Sequence, residues 1–570
     1  MFFDFKVPVP DKTGNISKRK TRGITYVYYI YERVYDKEKK YNVPHNVIIG
    51  KCTDGDVSMM FPNENYLTLF PDPVLPSWKE DQSRSSCVRV GAYIVIRKII
   101  KEYGLDRIAD KYIGEDAGLL LDLAAYSVIC EDNAGQYYPD YAYNHPLFTD
   151  GMHIYSDSKV STFLKELTKT QTLGFLDEWN ESMDHSHKIY VSYDSTNKAC
   201  DAGDIEIVEN GHYKENEQRP IFNYSIAYDL TDRVPLFYED YPGSIVDISQ
   251  LRYTIDKAQA YGYKQLGFIL DRGYFCRMNL RHIESCGYSF IIMLKGRKEL
   301  VEQIVREHMG TFEKDRAASI RKFKVNGITV EGKLFPNDEK TRYFHIYYSD
   351  RKAVSEREEV EIKIDKLSES LAGMTGKKVT ATKTMKKYFD LYWYHEGKED
   401  EALMYAAEKT KVINAEIEMC GYFVIVTSEK MSAKEAITLY KSRDNSEKLF
   451  RGDKSYLGNK RTRTHLTETT QAKIFVEFIG LIIRNRIYTA LLDEKEKTSN
   501  RSNYMNVAAA LKELEKIEVI KILDKGYHMD HALTATQKTI LKAFGIDAGK
   551  AVEMIRDIAK EIPGSQRISE

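Results

Sequence analysis

The sequence predicts an α/β fold whose acids sit at the ends of sheet strands, and three observations carry that expectation. From residue 188, short runs alternate apolar and polar residues (Ile189, Val191, Tyr193; then Phe222, Tyr224, Ile226, Tyr228) and interleave with helix-length stretches such as 246–262. An apolar run, Leu266-Gly-Phe-Ile-Leu270, reads as a buried strand and stops at Asp271. Hydrophobic residues make up 42% and charged residues 30%, with 14 prolines in 570 residues, which is the composition of a packed chain and not of a disordered one. At about 150 residues per domain, the length allows roughly four domain-sized units.

Taken in order, residues 1–22 set Lys6, Lys12, Lys18, Arg19, Lys20 and Arg22 against Asp4 and Asp11, a net +4 with little apolar periodicity. They read as a solvated tail or as an arm along a DNA backbone. Ile24-Thr-Tyr-Val-Tyr-Tyr-Ile-Tyr31, a charged turn at 36–40 and Val47-Ile-Ile49 read as a β-hairpin. Residues 91–131 carry Ile94, Ile96, Ile99 and Ile100, then Leu119 to Leu123, at helical spacing. Across 154–176, Ser158 is the expected N-cap, and Val160, Phe163, Leu164, Leu167, then Leu173, Phe175 and Leu176, give either a helix-turn-helix or an ordinary helical pair. The strand that begins at Ile189 is expected to end at Asp194. Two antiparallel strands follow (222–228 and 234–238), then a helix ended by Gly262, the strand to Leu270, a helix to Gly287 and a strand at 290–294. Residues 311–417 break that rhythm with a charged hairpin (328–335, 343–348), a Lys/Glu-rich helix near 351–374 and an aromatic strand at 388–394, and they read as an insertion. Gly421 to Thr427 returns as a buried strand, and the chain beyond about 504 reads as helical.

Composition excludes several function classes. Lys plus Arg is 84 and Asp plus Glu is 85, so a globally basic DNA coat is excluded and any nucleic-acid site is a local patch. Seven scattered cysteines without C-x-x-C spacing give neither a disulfide framework nor a zinc knuckle, and they suit a reducing cytoplasm. Met-Phe-Phe-Asp-Phe-Lys lacks the pattern of a signal peptide. The apolar run Phe475–Ile483 contains Glu477 and meets Arg484 and Arg486, too short and too charged to span a bilayer, so no membrane role is expected. There is no G-x-x-x-x-G-K-[ST] and no G-x-S-x-G. His528-x-x-His531 and His185-x-His187 lack further ligands nearby and read as surface and loop pairs.

The helix that begins at Ser432 holds the densest chemistry. Ser432-Ala-Lys-Glu435 is a capping-box start. Tyr440, Arg443, Glu447, Arg451 and Lys454 follow at steps of three or four and share one helix face. Residues 431–464 hold nine Lys/Arg against four Asp/Glu in a chain of net charge -1. Asp194 and Asp271 are each expected to end a strand, and as neighbours in one sheet they would sit where open α/β sheets place ligand sites. Two carboxylates about 4 Å apart repel by roughly 4 kcal/mol at an effective dielectric near 20, so such a pair calls for a cation. Oxygen-only ligands favour Mg²⁺ or Mn²⁺, and two such ions suit phosphodiester chemistry.

These residues carry a resemblance. Asp194, Asp271 and Glu447 in that order, with Tyr440-x₂-Arg443-x₃-Glu447-x₆-Lys454, resemble the signature of bacterial insertion-sequence DDE transposases with a ribonuclease-H-like fold. Val191-Ser-Tyr-Asp-Ser-Thr, Gly211-His-Tyr-Lys214, Pro235…Pro242-Gly243 and Ile269-Leu-Asp-Arg-Gly-Tyr274 support it. Asp271 lies 77 residues after Asp194 and Glu447 lies 176 after Asp271; the long second gap resembles members with a mostly β insertion before the helix that bears the Glu. Members often carry further acids after the second Asp, where this chain has Arg-Gly-Tyr-Phe.

The resemblance implies a ribonuclease-H-like catalytic domain at 186–310 and 418–495, interrupted by an insertion at 311–417. An α+β N-terminal region would occupy 1–90, a helical DNA-end-binding region 91–185 and a helical C-terminal region 496–570. Asp194, Asp271 and Glu447 would hold two Mg²⁺ or Mn²⁺ ions, and Tyr440, Arg443 and Lys454 would bind DNA phosphates near the element's end. Arg451 joins them by spacing on the same face. The implied activity cuts an insertion sequence at its terminal inverted repeats and joins the 3′ ends to target DNA, with a hairpin intermediate for which Trp393 is the candidate base-stacking residue. The partners would be double-stranded DNA and a second copy of the chain, in the bacterial cytoplasm at the nucleoid. A hydrolytic nuclease of the same fold and a domesticated sequence-specific DNA-binding protein are the alternatives.

Overall fold

The computed structural model describes residues 2–3, 5–52, 57–70, 73, 84–200, 205–210, 220–294, 298–444, 448, 461–462, 464–498, 503–522 and 526–563. Met1–Ser85 and Ser86–Glu570 form two compact units.

In the first unit, β1 (Val7–Pro8), β2 (Ile16–Thr21), β3 (Ile24–Asp36), β4 (Tyr41–Cys52) and β5 (Met59–Pro62) make one antiparallel sheet in the order β1-β5-β4-β3-β2, followed by helix α1 (Glu64–Leu69). The hairpin expected from the tyrosine run is β3–β4. Residues 1–22 are not a tail. Ile16–Thr21 pairs with β3 from Ile16↔Tyr29 to Thr21↔Ile24 as an edge strand. Its lysines and arginine hid it, because edge strands use charge to resist pairing with other chains and so lose the alternating apolar signal. Val27, Ile49, Met60 and Tyr66 form this unit's own core.

The second unit opens with β6 (Cys87–Arg89) and a helical layer: α2 (Gly91–Tyr103), α3 (Leu105–Ile113), α4 (Ala117–Cys130), α5 (Tyr138–Asn144), α6 (Asp157–Glu166) and α7 (Lys169–Glu181). Gly104 at φ 64° ends α2 and starts α3, a left-handed position that suits glycine. The N-cap of α6 is Ser156, whose side chain accepts from the Lys159 backbone N–H, and not Ser158. Ser158 already lies inside the first turn.

The large sheet follows: β7 (Ile189–Cys200), β8 (Glu209–Asn210), β9 (Pro220–Asp229), β10 (Val234–Pro242), α8 (Asp247–Ala260), β11 (Leu266–Leu270), α9 (Arg277–Ser285), β12 (Ser289–Met293) and α10 (Lys298–His308). Then come β13 (Ser319–Ile320), β14 (Val325–Gly332), β15 (Arg342–Tyr348), α11 (Asp350–Ala372), α12 (Lys383–Tyr388), β16 (Phe389–Tyr394), β17 (Ala402–Glu408), α13 (Thr410–Glu418), β18 (Tyr422–Thr427), α14 (Ala433–Ser442) and β19 (Arg461–Thr462). The strand order is β10-β9-β7-β11-β12-β18-β15-β14-β13. β7, β9 and β10 are an antiparallel meander, and β11 and β12 run parallel to β7. This five-strand arrangement is the ribonuclease-H-like core that the sequence resemblance implied.

The β14–β15 hairpin does not stand apart from this sheet. β15 pairs antiparallel with β18 over six residues, Tyr343↔Thr427 to Tyr348↔Tyr422, and so extends the sheet past β12. The stretch from Ser349 to Gly421 leaves and rejoins the sheet here, and it has its own core of Ile364, Leu371, Met385, Tyr388, Phe389, Leu403 and Ile413.

Helix α15 (Thr467–Thr498) is about 48 Å long at 1.5 Å per residue and largely buried, in contact with α4, α6 and β10. Its Glu477 pairs with Lys198 of β7 at 3.0 Å, both side chains almost wholly buried. The chain closes with α16 (Val507–Leu514), β20 (Glu518–Ile522), β21 (Gly526–Met529), α17 (Ala535–Ala543) and α18 (Ala548–Glu561). The C-terminal region therefore holds a β-hairpin as well as helices, and β20 pairs with β6. No helix among the described residues is long and apolar enough to cross a membrane.

Candidate active site

Asp271 follows the last residue of β11. Every residue of β11 is buried, so the chain meets solvent at this first polar side chain. Asp194 does not end its strand. β7 runs on to Cys200, and Asp194 lies in its middle. The polar run Ser195-Thr-Asn-Lys198 that follows it is buried, and three of its side chains have partners on neighbouring elements. The Tyr274 hydroxyl donates to Ser195 Oγ at 2.9 Å, and Asn197 Nδ2 donates to Asn223 Oδ1 at 2.6 Å. Lys198 lies against Glu477.

Register brings the two acids together. β7 and β11 are parallel with Leu270 opposite Tyr193, so the next pair along is Asp271 beside Asp194. Neighbouring strands lie about 4.8 Å apart, and residues in one row point to one face. The strands part at this point, since β11 ends while β7 continues beside β9 to Ala199.

Helix α14 covers that same face. Ile269, two residues before Asp271 and so on its side of the sheet, packs in one cluster with Ile291, Ile425 and Tyr347 and with Ala433, Ile437 and Tyr440 of α14. Positions 433, 437 and 440 recur at helical spacing, which is why this face turns inward. The expected capping box is present: Ser432 Oγ accepts from the Glu435 N–H, and the Glu435 carboxylate accepts from the Ser432 N–H at 2.8 Å. The Ser432 N–H and then its hydroxyl, both donating to the Glu435 carboxylate, hold that carboxyl below its ordinary range. The Tyr347 hydroxyl donates to the Ala433 carbonyl at 2.7 Å and fixes the helix start on β15.

At the other end of α14, Arg443 reaches the sheet. Its Nη1 lies 3.6 Å from Asp271 Oδ1, and its guanidinium lies 5.8 Å from the Tyr440 ring centre. Tyr440 is itself buried, at 6% exposure. The described helix ends at Ser442, with Arg443 as its C-cap in helical backbone geometry. Glu447, Arg451 and Lys454 lie outside the described residues, as does Gly211-His-Tyr-Lys214.

Sequence reasoning missed a brace behind the acids. The turn Arg272–Tyr274 folds back so that Tyr274 N–H donates to the Asp271 carbonyl at 3.0 Å. The Tyr274 ring packs edge-on against Tyr193, with centres 5.3 Å apart, while its hydroxyl holds Ser195. Both neighbours of Asp194 are thus tied to the turn that follows Asp271. Burial pushes the Tyr193 and Tyr274 phenols well up, so they stay neutral hydrogen-bonding groups. The only trace in the sequence was the tyrosine of Asp271-Arg-Gly-Tyr274.

Trp393 lies elsewhere, on β16. It is half-buried against the core of the 349–421 stretch, while Tyr392 and Tyr394 beside it are exposed. The histidine pairs stay local: His185 bonds the Asn180 carbonyl, His187 bonds Asp184 and His531 bonds Asp530.

Oxygen-only carboxylates on a partly open sheet face, next to an arginine, suit a hard divalent cation and a phosphate. Comparison with known proteins gives the wider context. No curated protein matches the sequence. Among solved structures, a piggyBac transposase synaptic complex with hairpin DNA is similar at a TM-score of 0.34 and 7% identity, over 84% of this chain and 83% of that one. The sequence model of the family described as "Transposase DDE domain" matches residues 195–483, half of the chain. With two acids in one row of a ribonuclease-H-like sheet and a helix laid across that row, the chain belongs to the DDE transposase family.

Proposed function

We propose that this DNA transposase works by a cut-and-paste route, cutting an insertion sequence at its terminal inverted repeats and joining the freed 3′ ends to target DNA. The observation that carries the reading is the single row of Asp194 and Asp271 with Arg443 against it. The family generally uses divalent metal ions. The donors here fit Mg²⁺ or Mn²⁺: side-by-side carboxylates at a fork between strands. Asp194, Asp271 and Glu447 are the residues we assign to two such ions. When bound, they supply an activated water or 3′-hydroxyl and a stabilised leaving oxygen.

The chain's own residues bind and orient. Arg443 is placed to take a phosphate oxygen beside Asp271, and Tyr440 holds that guanidinium from behind. Lys454 and Arg451, whose sequence spacing from Arg443 suits one face of a helix, are assigned to further phosphates. Trp393 is assigned to a flipped base in a hairpin intermediate; its packing in the 349–421 core means that an exposed neighbour, Tyr392 or Tyr394, has easier access to DNA. The boundaries 1–90, 91–185, 186–310 with 418–495, 311–417 and 496–570 are proposed with one change: the hairpin at 325–348 goes with the large sheet, and the insertion proper is 349–421. A homodimer on paired ends is proposed because two ends must be held together to move one element, and the site of action is the bacterial nucleoid.

The test is cleavage of a duplex carrying the flanking element ends, in Mg²⁺, by wild type, Asp271→Asn and Glu447→Ala. The expected result is nicking at the element boundary and 3′-end joining by wild type. Both variants should lose at least ~100-fold in rate while still binding the duplex. Cleavage without joining would favour the hydrolytic nuclease. Binding without cleavage by folded wild type on paired ends would favour the domesticated DNA-binding protein.

A further inference from the structure

In the first unit, the sheet needs only one face for its core, the face of Val27, Ile49 and Met60. The other face is not built of small polar residues. Register places Arg19 of β2 opposite Tyr26 of β3, Tyr26 opposite Lys51 of β4, and Lys51 opposite Phe61 of β5. The result is one row of alternating cation and ring across four strands, about 14 Å long at about 4.8 Å per strand.

The rings carry the cations. The Arg19 guanidinium lies 4.8 Å from the Tyr28 ring centre, and Lys51 Nζ lies 5.1 Å from Phe2 and 6.0 Å from Phe61. Lys6 adds a third cation, its Nζ 5.4 Å from Phe61. Long side chains that would otherwise wave in solvent are laid on rings, which lowers the entropy lost when they grip an anion. Among the described residues, no carboxylate pairs with Arg19 or Lys51. From Lys12 to Tyr31 the chain has five cations, four tyrosines and no acid, in a protein of net charge -1.

We propose that this sheet face is a second DNA contact surface, one that grips the phosphodiester backbone of duplex DNA without reading its bases. The inference rests on the transposase reading only in that DNA is the substrate. Charge complementarity favours a polyanion as occupant. Duplex is favoured over single-stranded DNA because the rings of Phe2, Tyr28 and Phe61 already carry the protein's own cations, which favours charge over open stacking platforms.

The experiment uses the full chain in EDTA, so that no cutting occurs, with a labelled 30-base-pair duplex of arbitrary sequence and its single strand, across a salt series. Arg19→Gln with Lys51→Gln keeps much of each stem and removes both charges. The expected result is several-fold weaker duplex binding, a salt slope smaller by about 2, and an unchanged melting temperature. Unchanged affinity and slope would overturn the proposal, and so would tighter binding of the single strand than of the duplex. A wild type that cuts element ends but whose duplex binding ignores the double variant would overturn this inference alone. An Asp271→Asn protein that binds duplex and does not cut leaves both standing.

Discussion

Asp271 lies beside Asp194 along the sheet and meets Arg443 across it, so one carboxylate carries opposed demands. Two acids about 5 Å apart repel by roughly 3 kcal/mol at an effective dielectric near 20, and Arg443 relieves part of that repulsion. Arg443→Gln is therefore expected to tighten Mn²⁺ binding several-fold, read by calorimetry, while DNA-end binding weakens. A variant that loses both affinities together would show the arginine to be a scaffold only. His345 is a second informative residue, wholly buried between Thr329 and Thr427. Burial pushes its pKa down to about 4. The unfolded chain takes up a proton on this histidine below about pH 6.5, whereas the folded chain resists to about 4, so its contribution to stability is lost as pH falls through that window. Asp122 acts in the opposite sense, since burial holds its carboxyl up at about 7. His345→Gln should thus flatten the acid-side loss relative to wild type, measured as the urea midpoint from pH 4 to 7. Asp271 was legible in the sequence because a fully apolar run stops at it. The place of Asp194 within its strand was not, because the polar residues after it find partners only once β9, the Tyr274 turn and α15 have closed around them.

At the scale of the element, α14 was the most legible piece of the chain. Its capping box and its apolar spacing follow from local sequence, whereas the meeting of Arg443 with Asp271 does not. Ser432→Ala removes the cap acceptor and frees Glu435 from its reciprocal bond, at a cost of about 1 kcal/mol. The expected outcome is a melting temperature lower by a few degrees, together with a larger fall in cleavage rate, because the helix sets where Arg443 meets Asp271. An equal fall in stability with no change in rate would place that geometry under the control of Tyr347 and the core instead. Strand β2 shows the opposite case. Its charges conceal it, because what makes an edge strand safe in solution erases its period-two pattern. The β15–β18 pairing was invisible for a different reason: its partners lie 74 or more residues apart, and nothing local records a long-range register.

Across the whole molecule, the buried Lys198–Glu477 pair fastens the strand that bears Asp194 to the long helix α15, and Asn133 of the helical layer donates to the same carboxylate at 3.0 Å. Lys198→Met leaves Glu477 buried without its ammonium and should cost about 3–5 kcal/mol, read by chemical denaturation. The Lys198→Met, Glu477→Leu double variant should recover most of that loss. Failure to recover would mean that the pair also fixes how β7 sits on α15, and the cleavage rate of the double variant separates the two cases.

The meeting of Tyr348 and Tyr422 across β15 and β18 has an evolutionary reading. The 73 residues from Ser349 to Gly421 depart and return at facing positions of one antiparallel pair, so for the rest of the sheet they are topologically a turn. A gene could lengthen, exchange or shed such a cassette without shifting the row of acids, because loop length enters chain entropy only logarithmically. Selection can then remodel this stretch while the sheet that carries Asp194 and Asp271 is inherited intact.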